Sequence, residues 1–200
     1  VGFDLQKVVA RSRAVAKQLN QGVTHLMKKN KITVHMGTGK LTGPGKLQVA
    51  LNAGGTADLQ ARHIIVATGA RARDLPFAKA DGERIWTYRH AMVPKDMPTE
   101  LLVIGSGAIG IEFANFYNDL GAKVTVVEMV DRIVPAEDAE VSAALQKALE
   151  KQGMTILTGA GVQSLKSDGK GVAAEIKTAD GKVAAHRFSH CIVAVGIAHN

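Results

Sequence analysis

The chain has 200 residues, of which 46% are hydrophobic, 22% are charged and 21 are glycine. That length and balance exclude an intrinsically disordered chain and leave room for one sizeable core or two modest ones. The formal net charge of +7 comes from lysines and arginines scattered along the sequence, so it does not indicate a nucleic-acid surface and suits an anionic small ligand equally well.

The first predicted element is a long amphipathic helix from Asp4 to Asn30, where apolar residues recur at steps of three and four. Three strand-like runs follow, separated by glycine, proline and asparagine: KITVHMGTGKLTG, KLQVALNAGG and LQARHIIVATGA. Because too few residues lie between these runs for crossover helices, they predict an antiparallel meander.

A linker rich in polar and proline residues, RARDLPFAKADGERIWTYRHAMVPKDMP at 71–98, precedes the second half of the chain, and we place the domain boundary near residues 87–98. Strands and helices then alternate, which is typical of a parallel sheet with crossover helices. The alternating elements are predicted at Leu101–Ile104, Ile109–Leu120, Lys123–Val127, Ala139–Gln152 and Thr155–Leu157. Three further strand-like runs, at Gly161–Lys166, Val172–Thr178 and Val183–Phe188, and an apolar run that is expected to be buried, Cys191–Val195, close the chain.

The stretch LLVIGSGAIGIEFANFYNDLGAKVTVVEM carries a GxGxxG pattern between a predicted strand and a predicted helix. We expect Gly105 to make the tight turn, Gly107 to admit a pyrophosphate close to the backbone, and Gly110 to let the helix pack on the strand. The helix N-terminus adds partial positive charge. A tight turn without a ligand is the structural alternative, but the position between strand and helix favours a dinucleotide site.

Two acidic residues follow the glycines. Glu128 ends the second strand, about 20 residues downstream, where a carboxylate accepts hydrogen bonds from ribose hydroxyls and repels a 2′-phosphate. It therefore predicts NAD rather than NADP. Glu112 lies just beyond the third glycine, and two interpretations stay open: it stabilises the helix terminus, or it reaches the nicotinamide end of the cofactor.

A longer stretch, from Leu101 to Met154, resembles the NAD-binding domain of the flavoprotein disulfide reductases, the pyridine nucleotide-disulfide oxidoreductase family, and most resembles its dihydrolipoamide dehydrogenase branch. GTGKL and HIIVATGARARDLP resemble the part of the family's FAD domain that precedes the NAD domain, and CIVAVGIAHN resembles the segment that closes it. The likeness covers essentially the whole chain in that order. One departure is that Ile197, Ala198 and His199 follow Gly196, where the family often has arginine and proline.

The resemblance implies an α/β fold with a Rossmann-type parallel-sheet NAD-binding domain, preceded by part of an FAD domain made of the amphipathic helix and the meander. It divides the chain into a partial FAD-binding domain at 1–87, an NAD-binding domain at 88–196 and the start of a return to the FAD domain at 197–200. The chain is expected to be a middle section of such a protein. By that resemblance, the family's N-terminal GxGxxG, CxxxxC redox pair and C-terminal dimerisation domain are expected to be missing from this section.

The resemblance also implies two sets of cofactor contacts. Those for NAD are Gly105, Ser106, Gly107, Ala108, Ile109, Gly110, Ile111, Glu112, Glu128, Val162 and Gly196. Those for FAD are Gly39, Thr68, Gly69 and Ala70. No catalytic residue and no metal ligand is expected in this chain.

The implied activity passes electrons from dihydrolipoamide through an enzyme disulfide and FAD to NAD, in a homodimer that belongs to 2-oxo-acid dehydrogenase complexes. The chain alone is expected to be inactive, and to have no nucleic-acid or membrane partner. Two alternatives stay open. One is another flavoprotein disulfide reductase or NADH oxidase, and the other is a stand-alone NAD-binding module without catalysis.

The remaining residues of interest carry structural predictions. Cys191 is the one cysteine and lies in an apolar run, which favours a buried small hydrophobe over a redox nucleophile. His186 and His190 have no third ligand nearby in a strand-rich stretch, which argues against a metal site. The longest apolar run, Leu101–Ile111, is shorter than the ~18 residues of a membrane span. A reducing compartment is expected, the bacterial cytoplasm or the mitochondrial matrix.

Overall fold

A computed structural model of the chain describes residues 2–200. Its helices within that range are α1 (Leu5–Lys29), α2 (Tyr88–Ala91), α3 (Ala108–Asp119) and α4 (Ala139–Lys151). Its first seven strands are β1 (Gly37–Gly43), β2 (Lys46–Leu51), β3 (Thr56–Gln60), β4 (Ala70–Ala72), β5 (Ile85–Trp86), β6 (Glu100–Ile104) and β7 (Lys123–Val127). The others are β8 (Thr155–Leu157), β9 (Gly161–Ser167), β10 (Val172–Lys177), β11 (Val183–Phe188), β12 (His190–Val193) and β13 (Ile197–His199). Backbone contacts form two compact units, one of Ala10–Thr68 and the other of the residues up to Val9 with Gly69–Asn200.

The first unit, Ala10–Thr68, contains the predicted antiparallel meander, with strand order β1-β2-β3. The third strand is not where the apolar run Leu59–Ala70 placed it. It occupies Thr56–Gln60, because the turn after β2 brings those residues directly back along that strand and the turn fixes the register. Ile65 and Val66 lie outside the sheet and are 91% and 66% exposed.

The predicted amphipathic helix is confirmed as α1. Its apolar stripe is not part of a core, since none of the described residues Leu5–Lys29 is buried. Val15, Leu19 and Val23 are about half exposed or more, at 46%, 67% and 54%. The hydrophobic periodicity therefore predicts the helix correctly, whereas burial of its apolar face is not observed.

The second unit is built on a five-stranded parallel sheet with the order β5-β12-β6-β7-β8. Helices α3 and α4 connect β6 to β7 and β7 to β8, which confirms the predicted alternation. The edge strand Ile85–Trp86 was assigned to the linker by the sequence, because two residues show no periodicity. Trp86 is only 2% exposed. The proposed division into cofactor domains at residues 87 and 88 stays a prediction.

The parallel sheet is covered on both faces, as such sheets usually are. Alternate residues of β6 point to opposite sides: Leu101 and Val103 pack with the α3 side chains Ala114 and Tyr117. On the other side, Leu102 and Ile104 pack with residues of the antiparallel sheet β11-β10-β9. This arrangement holds the carboxyl ends of β6, β7 and β12 together at one edge of a rigid core.

None of the helices formed by residues 2–200 combines the length and the hydrophobicity of a membrane-spanning segment.

Candidate functional site

A cavity of about 560 Å³ lies at the carboxyl ends of β6, β7 and β12. Its position follows from the strand order. Strand β7, which follows β6 in the chain, pairs with one edge of β6, and β12 pairs with the opposite edge, so the strand order reverses at β6. Ligands of open parallel sheets bind in the crevice at such a reversal. The cavity lining comprises Leu75, Phe77, Ile104, Gly105, Gly107, Ala108, Ile109, Val127, Glu128, Met129, Val130, Ala160, Gly161, Val162, Ala194, Val195, Gly196 and Ile197.

The three glycines of the GxGxxG turn have different surroundings. Gly105 has a φ of +97°, and a Cβ there would lie 2.5 Å from the carbonyl oxygen of Ala194. A Cβ on Gly110 would collide with the carbonyl oxygen of Gly105. In contrast, apart from Gly107 itself and its two neighbours in the chain, no heavy atom of the described residues lies within 4 Å of the position of a Cβ on Gly107. Gly105 and Gly110 are thus required by the fold, whereas the space over Gly107 is open to a ligand.

Helix α3 begins at this open space. Gly107 is its N-cap, and within the described chain no side chain caps the helix there. The amide groups of the first turn, at Ala108, Ile109 and Gly110, precede the first intrahelical bond, which Ile111 donates to the carbonyl of Gly107. Amides without an intrahelical partner and the positive end of the helix dipole make this end of α3 suitable for an anion.

Glu128 follows β7 directly and lies on the same cavity wall. Its Oε2 accepts hydrogen bonds from the amide of Ser106 at 2.8 Å and from Ser106 Oγ at 2.7 Å, and its Oε1 accepts one from the amide of Val130 at 3.1 Å. Partial burial raises the pKa of the carboxyl group, but the hydrogen bonds from Val130 and Ser106 outweigh this and hold the pKa below its ordinary value. Glu128 is therefore an anion at neutral pH.

The structure brings most of the residues predicted to contact NAD to this cavity. The lining includes Gly105, Gly107, Ala108, Ile109, Glu128, Val162 and Gly196. Ser106, Gly110 and Ile111 are buried and are not among the lining residues. Glu112 is exposed, is the fifth residue of α3 and is not among the lining residues. It thus lies beyond the first turn, where the helix dipole has little effect, and its proposed contact with nicotinamide stays a prediction.

The residues predicted to contact FAD do not line this cavity. Gly39 lies in β1, and Gly39 and Thr68 both belong to the first compact unit. Gly69 and Ala70 belong to the second unit, where Gly69 has a φ of +74° directly before β4. Strand β4 pairs with β13 in an antiparallel ribbon. The FAD contacts stay predictions.

The sequence reasoning missed the apolar walls of the cavity. Met129, Ala194 and Val195 could have been found, because each comes directly after the end of a parallel strand or one residue later, where ligand contacts of such sheets collect. Leu75 and Phe77 come from the segment between β4 and β5 and carry no comparable signal.

Cys191 and His190 lie in the core of the second unit. Cys191 is fully buried, as expected, and burial raises the pKa of its thiol. Burial also lowers the pKa of His190, although the nearby Asp96 carboxylate opposes this. The guanidinium of Arg84 lies 2.9 Å from His190 Nε2, and Oδ1 of Asp96 lies 3.3 Å from the same nitrogen. Among residues 2–200, no three His, Cys, Asp or Glu side chains are grouped as metal ligands.

Comparison with known proteins matches residues 3–200 to the family described as pyridine nucleotide-disulphide oxidoreductase. Dihydrolipoyl dehydrogenases from Zymomonas mobilis and Rhizobium etli are 55% and 46% identical to the chain over 99% and 98% of its length. The chain spans 42% and 44% of the length of these two relatives.

Solved structures agree with the fold. LpdA from Mycobacterium tuberculosis superposes with a TM-score of 0.88 at 30% identity, covering 100% of this chain and 44% of its own. The HOCl-induced flavoprotein disulfide reductase RclA from Escherichia coli superposes with a TM-score of 0.80 over 97% of this chain and 43% of its own, and at 22% identity it supports the fold alone.

Proposed function

The chain belongs to the pyridine nucleotide-disulphide oxidoreductase family, and from that premise we propose that its cavity binds a pyridine dinucleotide, with NAD(H) preferred over NADP(H). The observation that carries the proposal is the open space over Gly107 at the N-terminus of α3. On the same cavity wall lies an ionised carboxylate, that of Glu128.

The pyrophosphate is proposed to lie over Gly107. A diphosphate carries its charge on oxygens that accept hydrogen bonds, and the first-turn amides of α3 are donors without intrahelical partners. The missing side chain at Gly107 lets the phosphates approach the backbone closely. This placement fixes the middle of the dinucleotide at the centre of the cavity.

The two halves of the dinucleotide then extend over different strands. The adenosine half lies over the end of β7, where Glu128 accepts a hydrogen bond from a ribose hydroxyl. A 2′-phosphate there would meet the carboxylate at close range, which disfavours NADP(H). The nicotinamide half lies over the end of β12, against an apolar wall that includes Phe77 and Ile197. That wall provides apolar contacts for the ring.

The proposal for the whole protein is an NAD-linked flavoprotein oxidoreductase of the dihydrolipoyl dehydrogenase type, as the names of the relatives from Zymomonas mobilis and Rhizobium etli suggest. FAD and NAD supply the electron and hydride transfer when bound, and the residues of this chain bind and orient them. Gly39, Thr68, Gly69 and Ala70 are the proposed FAD contacts. With its one cysteine fully buried, the 200-residue chain is not proposed to turn over lipoamide by itself.

The remaining parts of the proposal concern assembly and location. We propose a homodimer that serves 2-oxo-acid dehydrogenase complexes, in the bacterial cytoplasm or the mitochondrial matrix. Relatives named dihydrolipoyl dehydrogenase occur in bacteria, and one from Arabidopsis thaliana is named mitochondrial. Another flavoprotein disulfide reductase is the alternative activity, and a non-catalytic NAD-binding module is the alternative class.

Calorimetric titration of the protein with NADH and with NADPH tests the cofactor choice. We expect NADH to bind and NADPH to bind at least ten times more weakly, since the Glu128 carboxylate opposes a 2′-phosphate. The variant Glu128→Ala should lose about 1.5–3 kcal/mol of NADH binding free energy, the contribution of a charge-assisted hydrogen bond. Tighter binding of NADPH than of NADH would contradict the assignment of Glu128.

A further inference from the structure

Ser106 occupies the variable position between the first two glycines of the GxGxxG turn, and its side chain is completely buried. Its hydroxyl does not face the cavity as a ligand contact would. It lies 2.7 Å from Oε2 of Glu128, and the amide of the same residue lies 2.8 Å from that oxygen. Both donors of Ser106 therefore converge on one oxygen of the carboxylate that is proposed to contact the ribose.

The main chain of Glu128 is fixed independently of Ser106. Its amide donates to the carbonyl of Leu157 at 2.8 Å, and its carbonyl accepts from the amide of Ala160 at 2.9 Å. The side-chain torsions are thus the remaining freedom of this residue. Ser106 and the amide of Val130 determine which of the possible orientations the carboxylate takes.

The hydrogen-bonding capacity of the two carboxylate oxygens differs as a result. Each oxygen can accept about two hydrogen bonds. Oε2 receives two from Ser106, Oε1 receives one from Val130, and the backbone amide of Met129 also interacts with the carboxylate. Ser106 therefore fills the acceptor positions of Oε2, and Oε1 is the oxygen that Ser106 leaves to other donors.

We propose that Ser106 is a positioning residue for dinucleotide specificity: by occupying Oε2 of Glu128, it orients the Oε1 edge of the carboxylate toward one ribose hydroxyl and holds the negative charge where a 2′-phosphate would have to lie. This inference rests on the proposed function of the cavity. It differs from that proposal because Ser106 acts through Glu128 and not through contact with the nucleotide.

The backbone of Ser106 is also held in place, which gives the arrangement its rigidity. Its carbonyl accepts a hydrogen bond from the amide of Val134 at 2.9 Å. Val134 has a φ of +39°, an unusual conformation for a β-branched residue. Ile133, beside it, is completely buried in the core. The segment after β7 thus anchors the serine that orients the carboxylate at the end of that strand.

The test is a double-mutant cycle with Ser106→Ala and Glu128→Ala, in which the affinities for NADH and NADPH are measured by titration calorimetry. Ser106→Ala should weaken NADH binding about five- to twenty-fold, less than Glu128→Ala does, because the Ser106 amide still donates to the carboxylate, and it should leave NADPH binding unchanged or stronger. In the Glu128→Ala background, Ser106→Ala should have no further effect, because its partner is already missing.

The pH dependence gives a second readout that a purely structural role would not change. A hydrogen bond to the ionised form lowers the pKa of a carboxyl group, so Ser106→Ala should raise the pKa of Glu128. NADH affinity should then decline at a higher pH in the variant than in the wild type when the titrations are carried down to about pH 4. An unchanged pH profile would argue against the proposal.

Ser189→Ala is the matched control, since it also removes a serine hydroxyl, one that donates to the carbonyl of Glu100 at 2.8 Å at the opposite end of β6. We expect the control to bind both nucleotides as the wild type does. If Ser106→Ala does not fold, Ser106→Cys keeps a side chain there with only a weak donor, and the same cycle applies.

The outcomes separate the two claims. If the wild type does not bind NADH, the proposed function fails and this inference fails with it. If the wild type binds NADH and Ser106→Ala binds it equally well, or loses affinity equally in both backgrounds of the cycle, the positioning role is refuted and the nucleotide site stands. Loss of affinity and of NADH preference in the wild-type background alone supports the role.

Discussion

Gly107 and Gly110 are three positions apart in one turn, yet a methyl group would have opposite consequences at the two sites. Gly107 has an ordinary negative φ and open space where its Cβ would be, so alanine fits the fold there. At Gly110 the new Cβ would collide with the carbonyl oxygen of Gly105. Gly107 is thus explained by a ligand and Gly110 by packing between α3 and β6.

The variants Gly107→Ala and Gly110→Ala should therefore separate binding from stability. We expect Gly107→Ala to keep the wild-type melting temperature and to bind NADH at least ten times more weakly, because the methyl group takes space needed by the pyrophosphate. Gly110→Ala should lose about 1–3 kcal/mol of unfolding free energy, as overpacked sites do. Thermal denaturation and calorimetric titration of both variants measure these effects. Wild-type NADH affinity in Gly107→Ala would remove the ligand explanation for that glycine.

At the residue scale, the sequence predicts positions better than partners. The spacing of the glycines and of Glu128 was sufficient to place them near one site, because strand ends and helix starts fix where such residues lie. The hydrogen bond between Ser106 and Glu128 was not predictable. It joins residues 22 positions apart and depends on the side-chain orientation that the end of β7 imposes.

At the element scale, the accuracy of each predicted helix or strand depended on how clearly the sequence marks its pattern and its ends. β7 was predicted to its last residue, because it is a short apolar run between a glycine turn and an acidic residue. β5 was missed because two residues carry no periodicity. β3 was misplaced because the apolar run around Ile65 suggested a strand, whereas pairing with β2 selects Thr56–Gln60.

Differences in burial between the elements predict unequal rates of hydrogen exchange. Amides of β6 and β7 lie in the centre of the parallel sheet, with Leu101, Val103, Val124 and Val126 completely buried. In α1 none of the described residues is buried. Exchange measured by mass spectrometry should therefore be orders of magnitude slower in β6 and β7 than in α1, since local opening of α1 exposes little additional apolar surface.

The control for this prediction is protein concentration. If α1 is protected only at high concentration, self-association covers its apolar stripe, and the difference between the elements should return on dilution. Equal protection of α1 and β6 at every concentration would show that α1 is as stable as the central sheet. It would contradict an account in which its apolar face is uncovered.

At the scale of the whole molecule, the chain combines a unit that carries the nucleotide cavity with a unit that carries an antiparallel meander. Every residue of the cavity lining belongs to the second unit, and the proposed nucleotide contacts come from the ends of its strands and the start of α3. The binding claim therefore depends on that unit alone. The wider oxidoreductase proposal depends on the family and on relatives of which the chain spans less than half.

Hydrogen exchange with and without saturating NADH tests the central claim most directly, because it reports both whether the nucleotide binds and where. We predict slower exchange on NADH addition in the glycine turn and first turn of α3, at residues 105–112, and after β7 and β12, at residues 128–130 and 194–197, with no change in the meander. Exchange that is unchanged at residues 105–112 in the presence of saturating NADH, or slowed only in the meander, would contradict the assignment of this cavity as the dinucleotide site.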